Sequence, residues 1–136
     1  NKRVMKTLIA FLMLWIGSET DYNTNIPHPV IKQVSETTLA KMNVSDDKIH
    51  ALYDPSTKTI YLKDTFNNYN VFDKGLLLRE VLHYVYDMNN VYETIFNCVA
   101  ESNIEIYSLQ KKYLIEVHGV AWTYDSNHLE SINSCN

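Results

Sequence analysis

Apolar side chains recur along this chain with two clear periods. From Leu8 to Ile16 the sequence is apolar without interruption, and Leu8, Phe11, Leu12, Trp15 and Ile16 fall at the i, i+3, i+4, i+7, i+8 spacing of a buried helical stripe. That spacing predicts a first helix over residues 3–17, stopped near Gly17. Asp21, Asn23, Asn25, Pro27 and Pro29 then make a turn-rich connection into the β-prone run Val30 to Val34. Ser35 and Glu36 ahead of Leu39, Ala40 and Met42 predict a short capped helix, because a hydroxyl and an acid suit the positive end of the helix dipole. His50 to Tyr53 and Thr59 to Leu62, separated by Asp54-Pro55-Ser56-Thr57-Lys58, read as a β-hairpin. The polar stretch Phe66 to Asn70 reads as a loop.

From Asp73 the period becomes 3.6. Leu77, Val81, Tyr84, Val85 and Met88 share one flank of a helix that ends around Asn89 and Asn90. A second long helix is expected from Val91 or Tyr92 through Phe96, Val99, Ala100, Asn103, Tyr107, Gln110 and Leu114 to Gly119, with His118 beside the negative end of its dipole. Val120 to Asn136 has no sustained period and is expected to hold a strand fragment or short helix and then a tail.

Length and composition narrow the class. With 136 residues, 46% of them apolar, the chain suits one domain, 1–136, with an ordinary core. A net charge of −4 without a basic stripe argues against nucleic acid as a partner. Three glycines leave little for a phosphate-cradling loop, and no fixed repeat is present. Cys98 and Cys135 belong to no Cys-x-x-Cys pair; one bridge pinning the tail, or a buried thiol plus a tail thiol, are both open. Lys2, Arg3 and Lys6 ahead of the apolar run have the order of a secretory signal, but no small-x-small cleavage site follows. The run of nine apolar residues also falls short of the length of about twenty that a membrane span needs, so no transmembrane span is expected. An uncleaved signal or anchor is the rival to a first domain helix, and the compartment, cytoplasmic or extracytoplasmic, stays open.

Candidate chemistry is concentrated in Arg79-Glu80-Val81-Leu82-His83, an H-E-x-x-H motif whose first histidine is replaced. In the intact motif two imidazoles one helical turn apart reach a single Zn²⁺, and the glutamate serves as general base on the zinc-bound water. A third ligand has to come from elsewhere. Glu101 and Glu105 lie 18 and 22 residues beyond His83. His28, His50, His118 and His128 lack ligand spacing and read as surface or capping residues, with replacement of the missing ligand by one of them as the rival.

With these residues in view, the chain resembles small single-domain bacterial zincin-like proteins of uncharacterised function, related to gluzincin metallopeptidases. The resemblance rests on Trp15-Ile16-Gly17 ahead of Thr20-Asp21-Tyr22, on Leu52-Tyr53-Asp54-Pro55 with Thr59-Ile60-Tyr61-Leu62, on the degenerate motif, and on Cys98 ahead of Glu101 and Glu105-Ile106-Tyr107. It implies an α+β, minimal gluzincin fold with an N-terminal helix, a small sheet carrying the hairpin, the motif helix and a second long helix. By position it implies Glu80 as general base, His83 as a zinc ligand and Glu101 as the third ligand, with Glu105 as a supporting partner or alternative ligand. It also implies an exposed edge strand near Ile60 to Leu62 on which an extended peptide could add.

Arg79 breaks the pattern. A guanidinium that keeps its proton is no ligand for zinc, so loss of the cofactor and of hydrolysis is expected. Arg79 is expected instead to replace the metal's charge, compensating Glu101 and Glu105 through a partly buried ion pair between the two helices. A peptidase-like protein retained for binding or scaffolding is the leading reading. Its alternatives are an active zinc-dependent peptidase with altered ligands and an unrelated small interaction module.

Overall fold

The computed structural model of the chain describes residues 2–42, 50–96 and 98–121. It is a mixed α+β domain. Five α-helices, α1 (Lys2–Glu19), α2 (Glu36–Met42), α3 (Val71–Met88), α4 (Val91–Thr94) and α5 (Asn103–His118), accompany a three-stranded sheet of β1 (Val30–Val34), β2 (Ala51–Asp54) and β3 (Thr59–Lys63). A 3-10 turn, Val99–Ser102, precedes α5.

The sheet order is β1-β3-β2, with β1 parallel and β2 antiparallel to β3. β3 is therefore the central strand, and Thr59, Ile60 and Leu62 are buried along it, as suits a strand covered on both faces. The edge strand expected near Ile60 to Leu62 is corrected by this topology: both flanks of those residues are already paired, Ile60 with Ile31 and Tyr53, Leu62 with Gln33 and Ala51. Among the described residues the edges belong to β1 and β2. Lys63 N donates to His50 O, and since inward and outward amides alternate on an antiparallel strand, Ala51 and Tyr53 turn their backbone groups toward the outer edge of β2.

α3 is the axis of the core, with buried residues on every side of it, Leu77, Leu78, Val81, Leu82 and Val85 among them. Asn70 caps it by accepting from Asp73 N, and the Asp73 carboxylate accepts in return from Asn67 N, so the polar loop doubles as the helix start. At the same end of the molecule, beside the start of α3, Gly119 closes α5 at φ 66°, a left-handed conformation that favours glycine, where its N–H and that of Val120 satisfy the carbonyls of Ile115 and Leu114. Tyr113 of α5 packs edge-to-face on Trp15 of α1 with centroids 5.4 Å apart.

Two helical expectations are corrected. α1 runs past Gly17 to Glu19, and its buried face is Ile9, Leu12, Met13 and Ile16 with Trp15, while Phe11 is exposed. A run apolar on all sides fits several faces, and packing against α3 selects one. Gly17 does not stop the helix; a Cβ there would meet Thr24 Oγ1 at 2.6 Å, so the missing side chain lets the following segment fold back against α1. Gly17→Ala is therefore expected to forfeit the ~1 kcal/mol that alanine normally gains in a helix interior, and to gain it only in a Thr24→Ala background. Thermal unfolding of Gly17→Ala in the two backgrounds reads that difference directly.

The second long helix is interrupted. α4 ends at Thr94, the chain turns, and helical geometry resumes at the 3-10 turn. Tyr92, Thr94, Ile95 and Phe96 are weak helix formers, and the break lets Tyr86 pack against both Tyr92 and Phe96, centroids 6.0 Å away in each case. Cys98 stands at this break and is not a free thiol; Cys135 and the expectations for 122–136 lie outside the described residues.

Candidate functional site

The motif residues sit in the middle of α3, and their directions follow from helix geometry. At about 100° per residue, Arg79 lies about 40° to one side of His83 and Glu80 about 60° to the other. Arg79 accordingly faces α5 and Glu80 faces the sheet. Asp87, seven residues beyond Glu80, returns to the sheet-facing side.

On that side Glu80, His83 and Asp87 border a cleft of about 400 Å³ with Leu52, Tyr53 and Pro55 of the hairpin and Tyr92 of α4. Glu80 is 6% exposed, and burial holds its carboxyl above the usual range although the charge of Arg79 acts in the opposite sense. Burial, aided by Arg79, pushes His83 down to about 4, so the imidazole is neutral near pH 7. Its Nδ1 lies 2.7 Å from Tyr92 Oη. Tyr92 in turn bonds with the hydroxyl of Ser102. This chain is satisfied when Ser102 donates to Tyr92 and Tyr92 donates to Nδ1, leaving the proton on Nε2. At the rim, Asp87 Oδ2 accepts from both Tyr53 Oη and Lys58 Nζ at 2.6 Å.

On the other side α3 meets α5. The Arg79 guanidinium stands 5.9 Å from the ring centroid of Tyr107, a cation–π contact. Among the described residues no ion pair joins it to Glu101 or Glu105, and its contact with α5 is the Tyr107 ring. Glu105, at the start of α5, accepts from Tyr22 Oη at 3.0 Å and Tyr86 Oη at 2.7 Å. Glu101 and Glu105 border a separate hollow with Phe96, Ile104, Ser108 and Leu109.

These residues do not fit a zinc ion. Position 79, which the resemblance makes the first ligand, holds a permanent cation, His83 and the two downstream glutamates open into different hollows, and among the described residues no three His, Cys, Asp or Glu side chains converge as a ligand group. His28 and His50 are exposed, His118 Nε2 lies 2.9 Å from Tyr113 Oη, and His128 lies outside the described residues.

The sequence reading places Glu80 and His83 on one helix and the structure brings both to one cleft. It missed Asp87, Tyr53, Tyr92 and Lys58. The spacing of Glu80, His83 and Asp87 at i, i+3 and i+7 was a legible signal, since such positions share a helix face. The partnership of Tyr92 with His83 was not, because it depends on the turn at Asn90, which adopts φ 57° between α3 and α4.

No curated protein and no solved structure matches this chain. A family model described as a domain of unknown function (DUF6647) matches residues 1–135, and the chain belongs to that family.

Proposed function

We propose that this protein is a degenerate, zincin-like relative of metallopeptidases that binds an extended peptide and does not hydrolyse it. The observation that carries this reading is that the Glu80 and His83 pair and the outer edge of β2 border the same cleft. Among the described residues no strand pairs with that edge, and the backbone groups of Ala51 and Tyr53 are turned toward it. An added strand would gain main-chain hydrogen bonds there while its alternate side chains entered the cleft. Zincin-type hydrolysis uses a metal ion as the Lewis acid that lowers the pKa of water and a glutamate as the base that takes its proton, and here Glu80 has no described ligand set beside it while Arg79 stands where the first ligand would.

Three measurements on the purified full chain test the reading. After equilibration with zinc and removal of excess metal, elemental analysis is expected to give far less than one zinc per chain, and casein is expected to remain uncut with or without zinc. Peptides selected from a random-sequence library are expected to slow hydrogen exchange at the amides of Ala51 and Tyr53. Stoichiometric zinc together with cleavage that disappears in Glu80→Gln would instead establish an active enzyme with altered ligands. Peptides that bind without protecting β2 would refute the strand-addition mode.

A further inference from the structure

The two carboxyl groups of the cleft have unlike surroundings. Asp87, at the rim, already holds a cation: Lys58 Nζ reaches it at 2.6 Å from the hairpin turn. Lys58 does so from φ 54°, a left-handed conformation disfavoured for a residue with a Cβ. The turn is held by Asp54, which accepts from Ser56 N, Ser56 Oγ and Thr57 Oγ1. Glu80 has no such partner. It is 94% buried by its 6% residual exposure, it borders the cleft, and its carboxyl receives no hydrogen bond from any described residue. Arg79, next to it in sequence, places its guanidinium over Tyr107 on the α5 side.

A buried polar group without a partner costs free energy, and a charged one costs more. An apolar occupant of the cleft would leave that cost in place. An acidic occupant would meet two carboxyl groups. A cationic head on an aliphatic stem answers both parts of the site: Leu52 and Pro55 offer apolar wall, Tyr53 and Tyr92 offer ring faces and edges, and Glu80 offers the opposite charge. At about 400 Å³ the cleft has room for one long side chain. From this geometry we infer that the cleft is a recognition subsite for a basic side chain, lysine or arginine, of the bound peptide, with Glu80 meeting its charged head and Lys58 competing with it for Asp87.

This inference rests on the peptide-binding reading and names the side chain that the cleft selects. Its test uses a probe too short to add a strand. The isotope-labelled full chain is titrated with N-acetyl-lysine methylamide, its neutral counterpart N-acetyl-norleucine methylamide, and N-acetyl-glutamate methylamide, and amide chemical shifts are followed. The lysine probe is expected to move the signals of Leu52, Tyr53, Glu80 and His83 and to bind about tenfold tighter than norleucine. Glu80→Gln is expected to reduce it to the norleucine level, and Lys58→Met to tighten it several-fold by releasing Asp87. Dispersed amide spectra certify that each variant is folded. Norleucine binding as well as lysine, no shift with the lysine probe, or indifference to both substitutions would each overturn the subsite. If the lysine probe binds while library peptides leave Ala51 and Tyr53 unprotected, strand addition fails and the subsite stands; if norleucine equals lysine while those amides are protected, the reverse holds.

Discussion

Glu105→Ala is expected to lower the unfolding free energy by about 3 kcal/mol, a large share of the roughly 5–15 kcal/mol that holds a domain of this size together. One carboxylate here serves three parts of the chain. It stands at the start of α5 and accepts from Tyr86 of α3 at 2.7 Å and from Tyr22, in the segment after α1, at 3.0 Å. Burial holds both phenols above their ordinary range, Tyr22 at about 12, so each is a fixed donor at any working pH. Removing the acceptor strands the hydroxyl of Tyr86, which is fully buried, whereas Tyr22 is only partly buried and can turn to water. The two rings also pack edge-to-face with centroids 5.1 Å apart, so the loss propagates to the seam between them. Tyr86→Phe removes a donor and leaves the carboxylate its other partner, at an expected cost of about 1 kcal/mol. The double variant is expected to be less damaged than the sum of the singles by ~1–2 kcal/mol, the coupling of a shared hydrogen bond. Urea unfolding at constant m-value measures all three, and a Glu105→Ala loss below about 1 kcal/mol would contradict this account.

The second large effect is acid sensitivity. His83 is held at about 4 in the folded protein against an ordinary 6.5, so its proton is refused by the native state over that interval and accepted by the unfolded chain. Above pH 6.5 neither state is protonated and the group contributes nothing to the pH dependence. As the pH falls from 6.5 to about 4 the unfolded state alone binds the proton, and stability drops by an amount on the order of 3 kcal/mol. Glu80 acts in the opposite direction. Burial raises its pKa from 4.5, so its contribution to stability declines as the pH rises above that value and recovers on acidification. His83→Gln is therefore expected to flatten the acid loss, and Glu80→Gln to steepen it by removing the compensating gain. Unfolding free energies of the three proteins between pH 4 and 7 decide the matter. Parallel curves for wild type and His83→Gln would mean that the imidazole is solvated and that the cleft is wetter than its lining implies.

The neighbouring positions 79 and 80 show why a linear motif was an incomplete guide to the site. Side by side in sequence, they are directed to different partners, Arg79 to Tyr107 and Glu80 to the cleft beside β2. Spacing put Glu80 and His83 on one helix, and both border one cleft. It could not say that the downstream acids would be engaged elsewhere, since that depends on the break after α4 and on where Tyr22 and Tyr86 place their hydroxyls. The ten tyrosines can be counted in the sequence, but the tethering of Glu105 and of His83 by particular ones cannot be read there.

What the sequence determined by itself is local. β1, the hairpin, the Ser35 start of α2, the Asn89 end of α3 and the Gly119 cap are each specified within a few residues by periodicity, turn chemistry and capping, so they were readable without a partner. The tertiary structure decided what is relational: which strand lies at the centre of the sheet, which face of α1 is buried, where the second helix breaks, and which charge meets which ring. Those choices are fixed by packing between segments dozens of residues apart, and their free energies exceed the local preferences that a sequence pattern records.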